Sequence, residues 1–189
     1  MSRAYRIRVR ESLRRVIRAH DRVGTRLELL EVLPPEQMAR LLTEELKGRG
    51  FEEKNGALVR KREGVTVTVD PTTGSVTVES EASHEAALAG EKDGRAYDDL
   101  GPSARETQKK LREELRQDLE QQADRKAAEL QSQVTDRLER ELTDLRRELD
   151  EVANRVTAAA LKQKAAQLGQ IKEMTEDPQT GSLTIVVEV

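Results

Sequence analysis

A run of more than sixty residues without glycine or proline, from Ser103 to Leu168, constrains the fold of this chain more than any other feature. Glycine and proline are the residues that most often interrupt a helix, so their absence predicts a long helix over residues 103–169. Apolar side chains recur every three or four residues, as on one face of a helix. They are Leu111, Leu115, Leu119, Ala123, Ala127, Leu130, Val134, Leu138, Leu142, Leu145, Leu149, Val152, Val156 and Ala160. Another element must cover this stripe, because a solitary helix exposing it would be unstable in water.

The spacing of the stripe predicts a helical partner for it. From Leu115 to Leu145 the steps average ~3.75 residues, longer than the ~3.5 of a heptad coiled coil, which indicates a straight or slightly right-handed supercoil. The stripe mirrors itself about Val134, so antiparallel packing would align apolar with apolar side chains. Three arrangements remain open: a helical hairpin turning near residues 132–136, an antiparallel homodimer with exchanged ends, and a parallel coiled coil.

Composition favours an elongated protein with a thin core. Of the 189 residues, 37% are charged and only 2% are aromatic, which is typical of long solvated helices rather than of a packed globule. The chain has no cysteine, so disulfides and thiolate metal sites are excluded. Its first residues contain no apolar segment that would direct export or span a membrane. A cytoplasmic location is therefore expected.

The N-terminal region differs in charge from the rest of the chain. Residues 1–64 hold 16 Lys and Arg against 10 Asp and Glu, although the whole chain has a net charge of -3. In "YRIRVR", Tyr5, Ile7 and Val9 alternate with arginines, which predicts a half-buried strand with one basic face. The candidate interaction surface consists of Arg6, Arg8, Arg10, Arg14 and Arg15. Such a row could bind an acidic protein or a phosphate backbone.

Further strands and one helix are predicted in this region. More β-structure follows residue 10, with a turn near residues 21–25 at Gly24. An amphipathic helix with Pro35 in its first turn, ending at Gly48 or Gly50, is predicted to cover the sheet. Asn55-Gly56 suits a two-residue hairpin turn. The Gly- and Ala-containing residues 81–102 lack sustained periodicity, which predicts a linker.

A nine-residue motif occurs twice: "DPTTGSVTV" at 70–78 and "DPQTGSLTI" at 177–185 share six identities. In each copy the Pro and Gly favour a tight turn between two strands, with the Asp carboxylate accepting from backbone amides. The turn residues are Asp70, Pro71, Gly74, Asp177, Pro178 and Gly181. We interpret the second copy as a hairpin that returns to the sheet containing the first, because an isolated hairpin is seldom stable.

Together these patterns predict an α+β fold: a small antiparallel sheet with one covering helix, a long antiparallel coiled-coil arm, and a C-terminal β-hairpin returning to the sheet. The predicted domains are a head over 1–80, a linker over 81–102, the long helix over 103–169, and the hairpin over 170–189.

Both ends of the chain resemble known families. The closing stretch "NRVTAAALKQKAAQLGQIKEMTEDPQTGSLTIVVEV" is similar to the helix and hairpin that end the small Ycf35-like proteins. "YRIRVRES" and "LELLEVLPPEQM" resemble an uncharacterised family accompanying bacterial ternary NTPase systems, which combine an FtsH-type AAA+ protein, a MoxR-type AAA+ ATPase and a von Willebrand factor A protein. This resemblance implies a non-catalytic structural, accessory or adaptor component of an ATPase-driven bacterial conflict or remodelling system, with AAA+ or von Willebrand factor A proteins as partners. It transfers no catalytic residues.

The residues themselves indicate no catalytic chemistry. The sequence has no P-loop, no dinucleotide fingerprint and no G-x-S-x-G. His20 and His84 are far apart in sequence, and a metal site needs several converging ligands. We therefore expect no enzyme activity, no cofactor and no metal. The alternatives are a nucleic-acid-binding protein using the arginines, which the scarcity of aromatic residues disfavours, and a prefoldin-like chaperone.

Overall fold

The computed structural model describes residues 5–97, 102–176 and 183–188, and these form an α+β fold. Five strands lie in one sheet in the order β1-β5-β4-β3-β2, and two more form a separate sheet. The elements are β1 (Tyr5–Arg26), α1 (Pro35–Gly48), β2 (Glu52–Lys54), β3 (Ala57–Arg62), β4 (Val65–Val69), β5 (Ser75–Ala96), α2 (Pro102–Leu168), β6 (Gln170–Glu176) and β7 (Leu183–Glu188). The predicted α+β class, with a covering helix, a long helix and a C-terminal hairpin, is confirmed.

The chain divides into two compact units. The ribbon unit comprises residues 1–20 and 81–135, and the sheet unit comprises residues 21–80 and 136–189. Strands β1 and β5 and helix α2 each contribute residues to both units. These bounds differ from the predicted head and arm, because the strands continue well beyond the point where the sequence suggested that the sheet ends.

In the ribbon unit, the first half of α2 packs on one face of a two-stranded ribbon made from β1 and β5. Odd-numbered residues of β1 and even-numbered residues of β5 point toward the helix, as period-two alternation requires. The buried cluster consists of Val9, Leu88, Leu111, Leu115, Leu119 and Ala123. One side of the helical stripe is thus covered by strands of the same chain.

The predicted linker at 81–102 is wrong over most of its length, since β5 continues to Ala96. The even-numbered small residues of this segment, such as Ala86, Gly90 and Gly94, face α2 and allow it to approach closely. A Cβ atom at Gly90 would lie 2.9 Å from Leu115 Cδ1, and one at Gly94 would lie 2.7 Å from Leu111 Cδ1. Glycine in a strand can mark such a close approach as well as a break in structure.

The predicted turn at residues 21–25 is also absent, because β1 is continuous from Tyr5 to Arg26. Gly24 lies within the strand, and a Cβ atom there would meet nothing within 4 Å. The structure therefore has a single strand of 22 residues where the sequence suggested two shorter ones. A single glycine without an adjoining turn-forming residue did not end the strand.

The sheet unit has a deeper core. Strand β4 pairs antiparallel with both β3 and β5, and its residues Val65, Val67 and Val69 are buried on one face. Helix α1 covers the sheet as predicted and buries Met38, Leu42 and Leu46. The second half of α2 contributes six further buried side chains: Leu138, Leu145, Leu149, Val152, Val156 and Ala160.

Tight turns connect the short strands of this unit. Asn55 and Gly56 have φ values of 53° and 81°, which confirms the predicted two-residue hairpin. A second turn of the same kind, at Glu63 and Gly64 with φ values of 48° and 80°, was not predicted. The sequence feature that could have indicated this turn is Gly64, which lies between the strand-like segments of β3 and β4.

Helix α2 continues without a break from Pro102 to Leu168, so a helical hairpin turning at residues 132–136 does not form. Most of its apolar stripe is buried against strands of the chain, and Leu130 and Leu142 are partly buried. The expectation that the stripe needs a second helix was therefore wrong, because no sequence pattern indicated that β1 and β5 are long enough to cover it. Homodimerisation through α2 stays a prediction.

The C-terminal hairpin forms as predicted, with β6 and β7 paired antiparallel in their own two-stranded sheet. Its turn, including Asp177, Pro178 and Gly181, lies outside the described residues. The return of this hairpin to the larger sheet stays a prediction.

Candidate interaction surface

The arginines at the start of β1 lie on the ribbon face that points away from α2, as the alternation predicts. They are joined there by acidic side chains of β5. Arg8 Nε donates to Asp93 Oδ1 at 2.9 Å, and Arg10 Nε donates to Glu91 Oε2 at 3.1 Å. Arg6 donates to Asp93 through Nε at 3.0 Å and also through its Nη2 group. Three of the five predicted surface arginines are thus paired with carboxylates of β5.

These contacts change the electrostatics of the ribbon face. Hydrogen bonds from Arg8 and then Arg6 lower the pKa of Asp93 below its usual range, and the Asp93 carboxylate raises the pKa of Arg8. Because the two carboxylates offset two of the three guanidinium charges, this end of the ribbon presents little free positive charge. The sequence did not point to Glu91 or Asp93, since residues 81–102 were not expected to form a strand.

The remaining two predicted arginines differ from each other. Arg15 is odd-numbered and points toward α2, where its Nη1 donates to Asp124 Oδ1 at 2.8 Å. Arg14 is exposed on the outer face together with Arg18. Within the described part of the chain, neither Arg14 nor Arg18 has an ion pair or a side-chain hydrogen bond. Between them lies Val16, which is 59% exposed.

Strand β1 is the edge strand of its sheet, because only β5 pairs with it among the described strands. Leu27, just after its end, donates its backbone N–H to Gly74 O at 2.8 Å. Because backbone groups alternate in direction along a strand, the N–H and C=O groups of the odd-numbered residues of β1 point toward β5, as those of Leu27 do. The N–H and C=O groups of the even-numbered residues point toward the open edge. Two contacts agree with this assignment: Gln131 Nε2 donates to His20 O at 3.2 Å, and the Arg22 N–H donates to Asp21 Oδ1 at 2.8 Å.

A groove in the sheet unit lies beside the end of β1. Its volume is about 650 Å³, and it is bordered by Val23, Thr25 and Leu27 on one side and by Leu142 and Leu149 of α2 on the other. Val23 is 37% exposed there. The sheet face is thus incompletely covered at this position.

The most sheltered ion pair in the sheet unit has a structural role. Arg60 of β3 forms two hydrogen bonds with the Glu148 carboxylate of α2, at 2.7 and 2.6 Å, and its guanidinium lies 4.5 Å from the centre of the Phe51 ring. The hydrogen bonds from Arg60 lower the pKa of Glu148, and Glu148 raises the pKa of Arg60. This bidentate pair fixes the helix to the sheet.

The first copy of the repeated motif forms the predicted turn between β4 and β5. The Asp70 carboxylate accepts from Thr72 N at 2.9 Å and from Thr73 Oγ1 at 2.7 Å, and Gly74 has a φ of 69°. These bonds, that from the Thr73 hydroxyl foremost, lower the pKa of Asp70. Asp70, Pro71 and Gly74 are thus structural turn residues.

Chemically reactive clusters are not found in the part of the chain that the structure describes. There, no group of three or more His, Asp or Glu side chains could hold a metal ion. His20 lies on β1 and His84 on β5, and neither belongs to such a group. Neither α1 nor α2 contains a segment apolar enough to cross a bilayer.

The whole chain, residues 1–189, matches the family described as FtsH ternary system domain X5. The chain belongs to this family. The match confirms the family resemblance seen at the N-terminal stretches and extends it across the whole chain. No curated protein and no solved structure matches the chain. Members of the family are components of FtsH ternary systems.

Proposed function

We propose that this protein is a non-catalytic adaptor of an FtsH ternary system, binding at least one of the system's protein components. The observation that carries the proposal is the family match, which spans every structural element of the chain. The partners are the AAA+ ATPases or the von Willebrand factor A protein of such a system.

The pairing of the basic face favours a protein partner over nucleic acid. A phosphate-binding face needs several free Lys or Arg side chains that can release counterions on binding. Here Arg6, Arg8 and Arg10 are already engaged with carboxylates of β5. The open edge of β1 and the groove beside its end instead offer backbone groups and apolar surface, which are the features that proteins use to bind one another.

Co-purification tests the proposal. The tagged full-length chain is co-expressed with each of the three proteins of its system, and complexes are measured by size-exclusion chromatography with light scattering. We expect a stable complex with at least one of them. Assays of phosphate release from ATP by the chain alone accompany the experiment, because intrinsic turnover would contradict a non-catalytic role.

A mixed DNA and RNA shift assay at increasing salt tests the rival function, nucleic-acid binding. Strong binding that weakens steeply with salt, without any protein complex, would overturn the proposal.

A further inference from the structure

We infer that the open edge of β1 between residues 12 and 18 binds an extended segment of a partner protein as an additional strand, in which acidic and apolar side chains alternate. The inference rests on the proposed adaptor function, since it assigns the surface through which the adaptor holds its partner. The backbone groups of this edge, its charge and the space beside it together specify the occupant.

The first property is unused backbone hydrogen-bonding capacity. The alternation established by the Leu27–Gly74 bond directs the backbone groups of the even-numbered residues from 12 to 18 toward the open edge. Farther along β1, the His20 carbonyl and the Arg22 N–H are satisfied by Gln131 and Asp21 side chains. No hydrogen bond of this kind protects the even-numbered residues from 12 to 18 in the described structure. Adding a strand would supply partners to a whole row of such groups.

The second property is charge. On the outer face at this edge, Arg14 and Arg18 are exposed without a carboxylate partner in the described chain, and Val16 lies between them. A strand added here would place its outward side chains directly beside these residues. Acidic side chains on that face complement the two guanidinium groups, whereas like charges in neighbouring strands are destabilising. This argues against a second copy of the chain, because antiparallel pairing of two β1 edges would bring arginines against arginines.

The third property is open space on the face toward α2, beside the apolar side chains of Ile17 and Ala127. A depression of about 440 Å³ is lined there by Arg15, Ile17 and Ala127 together with the neighbouring strand residues. Helix α2 carries only an alanine at this level, so the ribbon and the helix leave room beside the edge. The inward side chains of an added strand would enter this space, which selects apolar residues of moderate size. The occupant is therefore amphipathic with a period of two.

A defined peptide tests the inference with the full-length chain. The probe is a fluorescein-labelled, acetylated and amidated peptide, EVEVEVE, titrated with protein and followed by fluorescence anisotropy. We expect saturable binding, with KVKVKVK failing to bind. The double variant Arg14→Glu/Arg18→Glu should weaken binding about tenfold or more, because two attractive contacts become repulsive. The matched control Arg116→Glu/Arg125→Glu makes the same change in net charge on the exposed surface of α2 in the same unit, and it should leave binding within about twofold.

Amide exchange tests the geometry independently of charge. In ¹⁵N-labelled protein, peptide should slow exchange of the even-numbered amides from 12 to 18, and it should leave the odd-numbered amides between them unchanged because these already bond to β5. Val16→Pro removes one edge-facing donor and should weaken binding, whereas Val16→Thr should not. Circular dichroism confirms that each variant is folded.

The outcomes separate this inference from the proposed function. Absent binding of EVEVEVE, equal losses in the two double arginine variants, or protection of odd- and even-numbered amides alike would overturn the edge site. A concentration-dependent β1-mediated dimer that excludes the peptide would also overturn it. If a system protein still forms a complex with the Arg14→Glu/Arg18→Glu variant as tightly as with the unaltered chain, the adaptor function stands and the edge site is wrong.

Discussion

The ribbon unit and the sheet unit are built on two halves of the same helix, yet they bury it to different depths. In the ribbon unit the helix meets two strands, and the buried cluster contains six residues. In the sheet unit it meets a wider sheet and α1, and the cluster contains eighteen. Because stability follows buried apolar area, we expect the ribbon unit to open at a lower free energy than the sheet unit. An apolar stripe along a helix therefore does not predict the free energy needed to open each part of the helix.

The ion pairs described above are also less exposed to solvent in the sheet unit than in the ribbon unit. Arg60 and Glu148 in the sheet unit are sheltered, with side chains 14% and 23% exposed. The pairs of Arg6, Arg8 and Arg10 in the ribbon unit lie open to solvent. Sheltered bidentate pairs fix geometry, whereas exposed pairs contribute little to the free energy of unfolding, so the ion pairs of the ribbon unit add little to its stability.

The largest effect is expected in the core of the sheet unit. Leu138→Ala removes a side chain that is 2% exposed, and it should lower the free energy of unfolding by about 2–5 kcal/mol because it leaves a cavity. Urea denaturation followed by circular dichroism measures the loss. Leu168→Ala, on the same helix but 60% exposed, is the control and should change little. Equal losses in both variants would contradict the deep core assigned to this unit.

The sheltered ion pair should give the next largest effect. Glu148→Gln weakens both hydrogen bonds to Arg60 and should cost about 1–3 kcal/mol at neutral pH. The folded-state pKa of Glu148 is lowered, so this stabilisation is fully present above the usual glutamate pKa of about 4.3 and is lost as pH falls through the lowered value. Urea midpoints of the variant and the unaltered chain should therefore converge in acid. Glu120→Gln, exposed on α2, is the control, and a difference between midpoints that persisted in acid would argue against this pair.

Close packing of the ribbon unit can be tested with Gly94→Val. The added side chain would collide with Leu111, and overpacking of this kind costs about 1–3 kcal/mol. Hydrogen exchange should increase over residues 5–20, 81–96 and 102–135 while the sheet unit keeps its protection. Gly24→Val, where the structure has open space, should be tolerated. Equal loss of protection in both units would show that they open together, which would break the comparison drawn above.

The smallest effect is expected at the exposed pairs. Asp93→Asn removes the carboxylate that Arg6 and Arg8 share, and it should leave the urea midpoint unchanged at moderate salt because solvent screens these charges. The same variant frees two arginines on the outer face, so binding of EVEVEVE should become no weaker. A large loss of stability would mean that the ribbon unit depends on this pair.

Much of the local structure could be predicted from particular residues. The absence of Gly and Pro in 103–168 identified α2, the apolar spacing after Pro35 identified α1, and Asn55-Gly56 and Asp70–Gly74 identified two turns. The strand through 81–96 could not be predicted, because its small inward residues resemble those of a linker. The continuity of β1 past Gly24 was also missed, because a glycine inside a strand resembles the glycine of a turn.

The candidate surface was predicted only in part. Alternation placed Arg6, Arg8 and Arg10 on one face, but their pairing with Glu91 and Asp93 required a strand that the sequence did not reveal. As a result, the sequence overestimated the free charge at the start of β1. It also did not indicate that Arg14 and Arg18 would be the arginines left without partners.

By itself, the sequence determined the period of each element and the sites of the tight turns, because these depend on backbone preferences and on side chains only a few residues apart. Tertiary structure alone decided that strands rather than a second helix cover the α2 stripe, and that β1 is left with an open edge. Periodicity specifies which face of an element must be buried. The element that buries it is selected by contacts between residues far apart in the chain, among surfaces that are chemically alike.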